Sequence, residues 1–187
     1  FEVILNRAAE NDVLVLVDEA YYYFSDVTVM PLVERFDNLV VTRTFSKACG
    51  LAGARLAFLV STPENIDYLQ RVKPMYEASG VALKLGRFLM QHPHIIEDYA
   101  RQANEGKRFL KEWMRTIAQP FETEGNFLVV RMAPGVDIPA LVAGLKARGY
   151  LIKGSFPDTP LEDCIRITTG PVSLMEAFQV VFQGVYA

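Results

Sequence analysis

The segment TRTFSKACGLAGARLAF (residues 42–58) sets Lys47 and Arg55 among serine, alanine and glycine, neither with another charge beside it. A solvated face would surround them with other charges, so this small-sided apolar setting points to a cofactor site. The segment lies between two apolar runs, LVVTRTF (39–45) and ARLAFLV (54–60), and a third run, VLVLVD (13–18), lies upstream. Short unbroken runs of this kind suit strands buried on both faces of a parallel sheet with helices over it. VMPLVERFDN (29–38) reads as a short crossover helix, and strand–helix–strand implies α/β architecture. Ligands of such sheets gather beyond the carboxyl ends of the strands, where Asp18 and the segment around Lys47 both fall.

Downstream, Thr62-Pro63 predicts a helix start, with the helix running to about Val72 before Lys73-Pro74. A long helical stretch follows over about 80–117, interrupted at His92-Pro93. From about residue 119 the pattern changes to shorter alternating elements. NFLVVRM (126–132), YLIK (150–153) and CIRIT (164–168) read as strands. Ile138, Leu141, Val142 and Leu145 mark a helix face ending at Gly149. Ser173 and Glu176 predict a capping box, followed by a helical face of Leu174, Ala177, Phe178, Val181 and Val185.

The 187 residues are 51% hydrophobic and 22% charged with net charge −3, as expected of an ordinary globular chain. A mildly acidic balance gives no electrostatic reason to expect nucleic acid or an anionic membrane. Two cysteines, Cys49 and Cys164, make no disulfide framework, so a cytoplasmic location is expected. No apolar run approaches the roughly 20 residues that span a bilayer, and no signal peptide is recognised. No metal-ligand cluster stands out either. The chain opens on Phe1 inside a helix-like pattern, which reads as entry partway through a fold.

DEAYYYF (18–24), TRTFSKACGLAGARLAF (42–58) and CIRITTG (164–170) occur in an order and spacing that resembles the fold-type I pyridoxal-phosphate (PLP) enzymes. Within these, the match is to the histidinol-phosphate aminotransferase group. The resemblance covers nearly the whole chain but only the second half of a usual enzyme of this kind, so a fragment that is inactive alone is expected. It implies part of the three-layer αβα PLP-binding domain, aspartate aminotransferase-like, over residues 1–78. A connecting helical segment would cover 79–104 and a small α+β C-terminal domain 105–187.

By this resemblance Lys47 is the lysine that condenses with the cofactor aldehyde. Only its uncharged amine attacks, and an apolar, cation-rich pocket would lower its pKa. Asp18 faces the pyridine nitrogen, and Tyr21 the ring's phenolic oxygen. Thr44, Ser46 and Arg55 hold the cofactor phosphate, with Gly50 and Gly53 permitting close backbone approach. Arg166, expected to point inward from its strand, grips the substrate carboxylate, with an ion pair to Asp163 or Glu162 as the other reading. Tyr76 lines the substrate pocket. Lys153 stands where the group places a phosphate-binding arginine, a departure that replaces a fork with a point charge. Asn126 reads as structural.

The activity implied is amino transfer between an amino acid or amino-phosphate substrate and 2-oxoglutarate, in a cytoplasmic homodimer. Two other readings remain open: a PLP-dependent decarboxylase of a phosphorylated amino acid, and a non-catalytic PLP-binding effector domain of a regulator.

Overall fold

The computed structural model describes residues 1–75 and 78–186, which divide into two compact units, Phe1–Glu97 and Asp98–Ala187. The single division falls inside the segment that the sequence reading treats as connecting.

In the first unit, helix α1 (Glu2–Ala9) leads into strand β1 (Val15–Asp18). A four-residue helix α2 (Tyr22–Ser25) and a 3-10 turn (Met30–Glu34) precede strand β2 (Leu39–Thr44). The expected crossover α-helix is therefore a 3-10 turn. Pro31 near its start removes a backbone donor, and only five residues are available.

Strand β3 (Ala57–Val60) completes a sheet of order β1-β2-β3. β1 and β2 are parallel and β3 is antiparallel to β2, so the sheet is mixed rather than all-parallel. One face packs Val15, Val17, Leu39, Val41 and Val60 against Leu5, Val29 and Val33. The other face of β1 is open: Leu16 is 62% exposed, so β1 is not buried on both sides. Helix α3 (Pro63–Val72) starts as predicted, capped by Thr62, whose hydroxyl accepts from the Asn65 amide. Helix α4 (Gly80–Gln91) is capped the same way by Ser79.

Helix α5 (Pro93–Met114) begins in the first unit and continues into the second. There follow β4 (Gln119–Pro120), β5 (Phe127–Arg131), α6 (Ile138–Ala147), β6 (Lys153–Gly154), β7 (Cys164–Thr168) and α7 (Val172–Tyr186). The four strands form an antiparallel sheet of order β4-β5-β7-β6. Its inner face (Leu128, Val130, Ile165, Ile167) packs on Leu110, Leu141, Leu145, Phe178 and Phe182.

Two details differ from expectation. Of YLIK only Lys153 is strand, since Leu151 is 80% exposed and the short edge strand pairs only through Lys153 and Gly154. Helix α7 begins at Val172, where the Pro171 carbonyl accepts from the Leu174 and Met175 amides. Ser173 thus sits inside the first turn instead of capping it. The buried stripe is Met175, Phe178 and Phe182, and Leu174 is exposed. Among the described residues no helix is long and apolar enough to cross a membrane.

Candidate active site

Parallel pairing of β1 with β2 brings their carboxyl ends side by side, with Asp18 opposite Thr42. Both lie on the open face of the sheet. The Asp18 carboxylate is exposed, and its Oδ1 accepts from the Ala20 amide (3.0 Å) and the Thr42 hydroxyl (3.4 Å). These bonds hold the carboxylate in one direction while leaving its second oxygen accessible.

Lys47 lies three residues beyond β2 in a tight turn. The Gly50 amide donates to the Lys47 carbonyl (2.9 Å) and the Leu51 amide to the Phe45 carbonyl (2.9 Å). Gly50 closes the turn with φ +67°, a left-handed conformation that glycine adopts without strain. Phe45 anchors the turn from below, buried against Leu56 and Ala82. Above it, half-buried Lys47 holds its Nζ 5.2 Å from the centroid of the Tyr21 ring. Tyr21 precedes α2, three residues beyond Asp18. Asp18, Tyr21 and Lys47 therefore all belong to the carboxyl ends of the two parallel strands.

The phosphate candidates behave less uniformly. The Thr44 hydroxyl accepts from the Ser46 amide (3.0 Å) and donates to the Leu56 carbonyl (3.4 Å), so it shapes the turn that carries Ser46 and Lys47. Arg55 is exposed, with φ +51°, and its guanidinium donates to the Ala52 carbonyl at 3.4 Å. A left-handed arginine is a strained backbone that the surrounding fold must hold. A Cβ on Gly53 would meet nothing, so Gly53 admits no close approach within this chain. Among the described residues neither Lys47 nor Arg55 has a carboxylate partner.

In the second unit, antiparallel pairing sets Lys153 on β6 directly opposite Arg166 on β7. Cross-strand partners point to the same face, and both side chains are exposed on the outer face of the sheet. Arg166 is thus not inward as expected. Strand alternation gives the core to Ile165 and Ile167 and turns Arg166 out, its Cζ 5.6 Å from the Phe127 ring. Nor does Arg166 pair with Asp163, whose carboxylate instead holds Arg131 at 2.9 Å. Two like charges placed opposite each other repel unless an anion lies between them. Tyr76 falls outside the described residues.

Sequence reasoning missed two residues at the first site, Glu19 and Arg43. They form a largely buried ion pair (2.9 Å) on the packed face, directly behind Asp18 and Thr42. The available signal was two opposite charges at alternating positions within apolar runs. Among the three tyrosines, Tyr21 contacts Lys47, and Tyr22 lies under Arg43 with the guanidinium carbon 3.6 Å from its ring centroid. Burial pushes the Tyr23 phenol above its ordinary pKa.

The profile of aminotransferase class I and II matches residues 1–179 of this chain. The chain belongs to that family. Histidinol-phosphate aminotransferase of Chromobacterium violaceum is 38% identical over 176 residues, covering 90% of this chain and 48% of that protein. The crystal structure of the histidinol-phosphate aminotransferase from Clostridium acetobutylicum superposes with TM-score 0.86 at 16% identity, over 100% of this chain and 58% of that one. The Sinorhizobium meliloti histidinol-phosphate aminotransferase, solved in complex with pyridoxal-5'-phosphate, superposes with TM-score 0.78 at 23% identity, over 98% and 53%. At such identities the solved structures establish the aspartate aminotransferase-like fold of this family. The chain spans about half the length of the curated relatives it matches.

Proposed function

We propose that the protein carries out PLP-dependent amino transfer, taking an anionic amino donor of the histidinol-phosphate type with 2-oxoglutarate as acceptor. The observation that carries this reading is the Lys47 amine held 5.2 Å from the Tyr21 ring, without a carboxylate partner among the described residues, at strand ends that also present Asp18. Family membership over residues 1–179 supports it.

The donor set suits the cofactor. Asp18 offers an oriented, accessible carboxylate for a pyridine N–H. Lys47 offers a primary amine, Tyr21 a phenolic O–H, and Ser46 with Arg55 a hydroxyl and a guanidinium for a phosphate. Thr44 contributes by fixing the turn from which Ser46 and Lys47 project. When bound, the cofactor supplies an electron sink for the bond broken at the substrate α-carbon.

With the cofactor bound, Asp18 would hold a proton on the ring nitrogen, and the Lys47 Nζ would serve as general base for the substrate α-proton and carry that proton as general acid. Tyr21 steadies the charge on the ring oxygen. In the second unit, Arg166 forks onto a substrate carboxylate while Lys153 attracts a phosphate as a point charge. Tyr76 is proposed to line the substrate pocket. A cytoplasmic homodimer completes the proposal, and the free thiols of Cys49 and Cys164 suit a reducing compartment.

The test is product analysis on the whole protein supplied with PLP, histidinol phosphate and 2-oxoglutarate. Glutamate formation without carbon dioxide is the expected outcome. Carbon dioxide release, or no glutamate from any anionic amino donor, overturns the reading.

A further inference from the structure

The buried side of the first sheet carries a network that none of the roles above uses. Glu19, 8% exposed, follows Asp18 and so points to the opposite face. Its amide donates to the Thr42 carbonyl (2.9 Å), extending the β1–β2 ladder by one rung. Its carboxylate accepts from the Val29 amide (2.6 Å), the Thr28 hydroxyl (2.9 Å), and Arg43 Nε and Nη2 (3.0 and 2.9 Å). Arg43 Nη2 also donates to the Thr28 hydroxyl (2.9 Å), which accepts from the Met30 amide as well (3.0 Å). A paired carboxylate and guanidinium with this many bonds satisfies each buried charge.

This network has two ends. One closes the segment from Glu19 to Val29 on itself, fixing both of its termini to β1. The other lays the Arg43 guanidinium on the Tyr22 ring, 3.6 Å from the centroid. Tyr22 is the first residue of α2, which has only four residues. A helix that short has no stability of its own. Tyr21, immediately before it, packs on buried Phe24 with ring centroids 6.4 Å apart, and what holds Tyr22 adds a second constraint on its orientation. The position of Asp18 is likewise set by the residue bonded behind it.

We propose that the Glu19–Arg43 pair, acting through Tyr22 and Thr28, is a positioning device that aims the Asp18 carboxylate and sets the Tyr21 ring against Lys47. The inference rests on the reading of Asp18, Tyr21 and Lys47 as the cofactor site. None of the four is among the residues proposed to hold the cofactor, so each would work through a neighbour.

Two variants of the whole protein test it: Arg43→Lys, which keeps the charge but removes the fork and the flat stacking surface, and Tyr22→Leu, which leaves the ion pair intact. Three quantities are measured: PLP affinity by absorbance titration, the pH midpoint of the bound cofactor's absorbance change, and the unfolding midpoint of the cofactor-free protein. Loss of a supporting partner behind a ligand weakens binding by about tenfold or more. Both variants are expected to lose about tenfold in PLP affinity and to move the pH midpoint, including when compared at equal folded fraction. A PLP affinity within twofold of wild type and an unmoved pH midpoint, in either variant that folds, overturn the positioning role and leave the pair purely structural. If Arg43→Lys does not fold, Tyr22→Leu decides alone. Wild-type protein that binds no PLP overturns the site reading itself, a result seen before any variant is made.

Discussion

Gly106 offers the sharpest prediction about the fold behind Arg166. It sits in α5, and a Cβ built on it would lie 1.8 Å from the Gly170 carbonyl oxygen, 3.0 Å from the Gly170 carbon and 3.1 Å from Met175 Cγ. Real Cβ atoms essentially never approach closer than 3.0 Å, so helix and loop would have to part by at least 1.2 Å. The obstructing atom is backbone, and no side chain can swing away to relieve it. Overpacking of this kind costs roughly 1–3 kcal/mol, occasionally more. Replacing glycine by alanine within a helix returns about 1 kcal/mol.

With the clash at the upper end of its range, Gly106→Ala should lose about 2 kcal/mol net. For 187 residues unfolding together that lowers the unfolding midpoint by roughly 4–8 °C. Gly184→Ala is the matched control. It lies at an exposed position of α7, a Cβ there meets nothing within 4 Å, and the propensity gain stands unopposed. Thermal unfolding of the two variants beside wild type should move in opposite directions, Gly184→Ala being neutral to slightly stabilised. Gly106→Ala with wild-type stability would refute the close packing of α5 on Gly170, four residues beyond Arg166.

Three further outcomes are expected. Asp18→Asn should reduce turnover by about 10²-fold or more through loss of the charge that holds the ring proton, with little change in unfolding midpoint because the carboxylate is exposed; steady-state kinetics and thermal melts check this together. Lys153→Ala should raise KM for phosphorylated donors more than for unphosphorylated ones, whereas Arg166→Lys should weaken both; equal losses in Lys153→Ala would remove that lysine from the phosphate site. Burial pushes the Cys49 thiol up to about 11, so in the folded protein it should stay protonated and resist iodoacetamide at pH 8, becoming reactive only on addition of urea.

The elements themselves were legible because their signals are local. The Thr62-Pro63 start of α3, the break at His92-Pro93 and the Asp18 strand end each depend on a few adjacent residues. Strand direction was not legible, since β3 reads the same whether it runs parallel or antiparallel. The exposure of Leu16 was hidden for a related reason. An unbroken apolar run marks a strand but does not say which face is covered within this chain. Arg166 was assigned the wrong face because its apolar neighbours were weighed without counting alternation, which sends Ile165 and Ile167 inward and the arginine out.

At the candidate site, Lys47, Arg55, Asp18 and Tyr21 are proposed from the resemblance of the motifs that carry them. Glu19 and Arg43 were missed because their meaning depends on register. Only once Asp18 is known to stand opposite Thr42 do the next residue on each strand become a buried pair.

The central claim is that Lys47 is the amine that condenses with the cofactor aldehyde. It is tested most directly by borohydride treatment of the PLP-loaded whole protein, followed by peptide mass mapping. A single phosphopyridoxyl adduct on the peptide containing Lys47, lost in Lys47→Ala, is the predicted result. An adduct on another lysine, such as Lys107 or Lys153, with Lys47 unmodified, would contradict it.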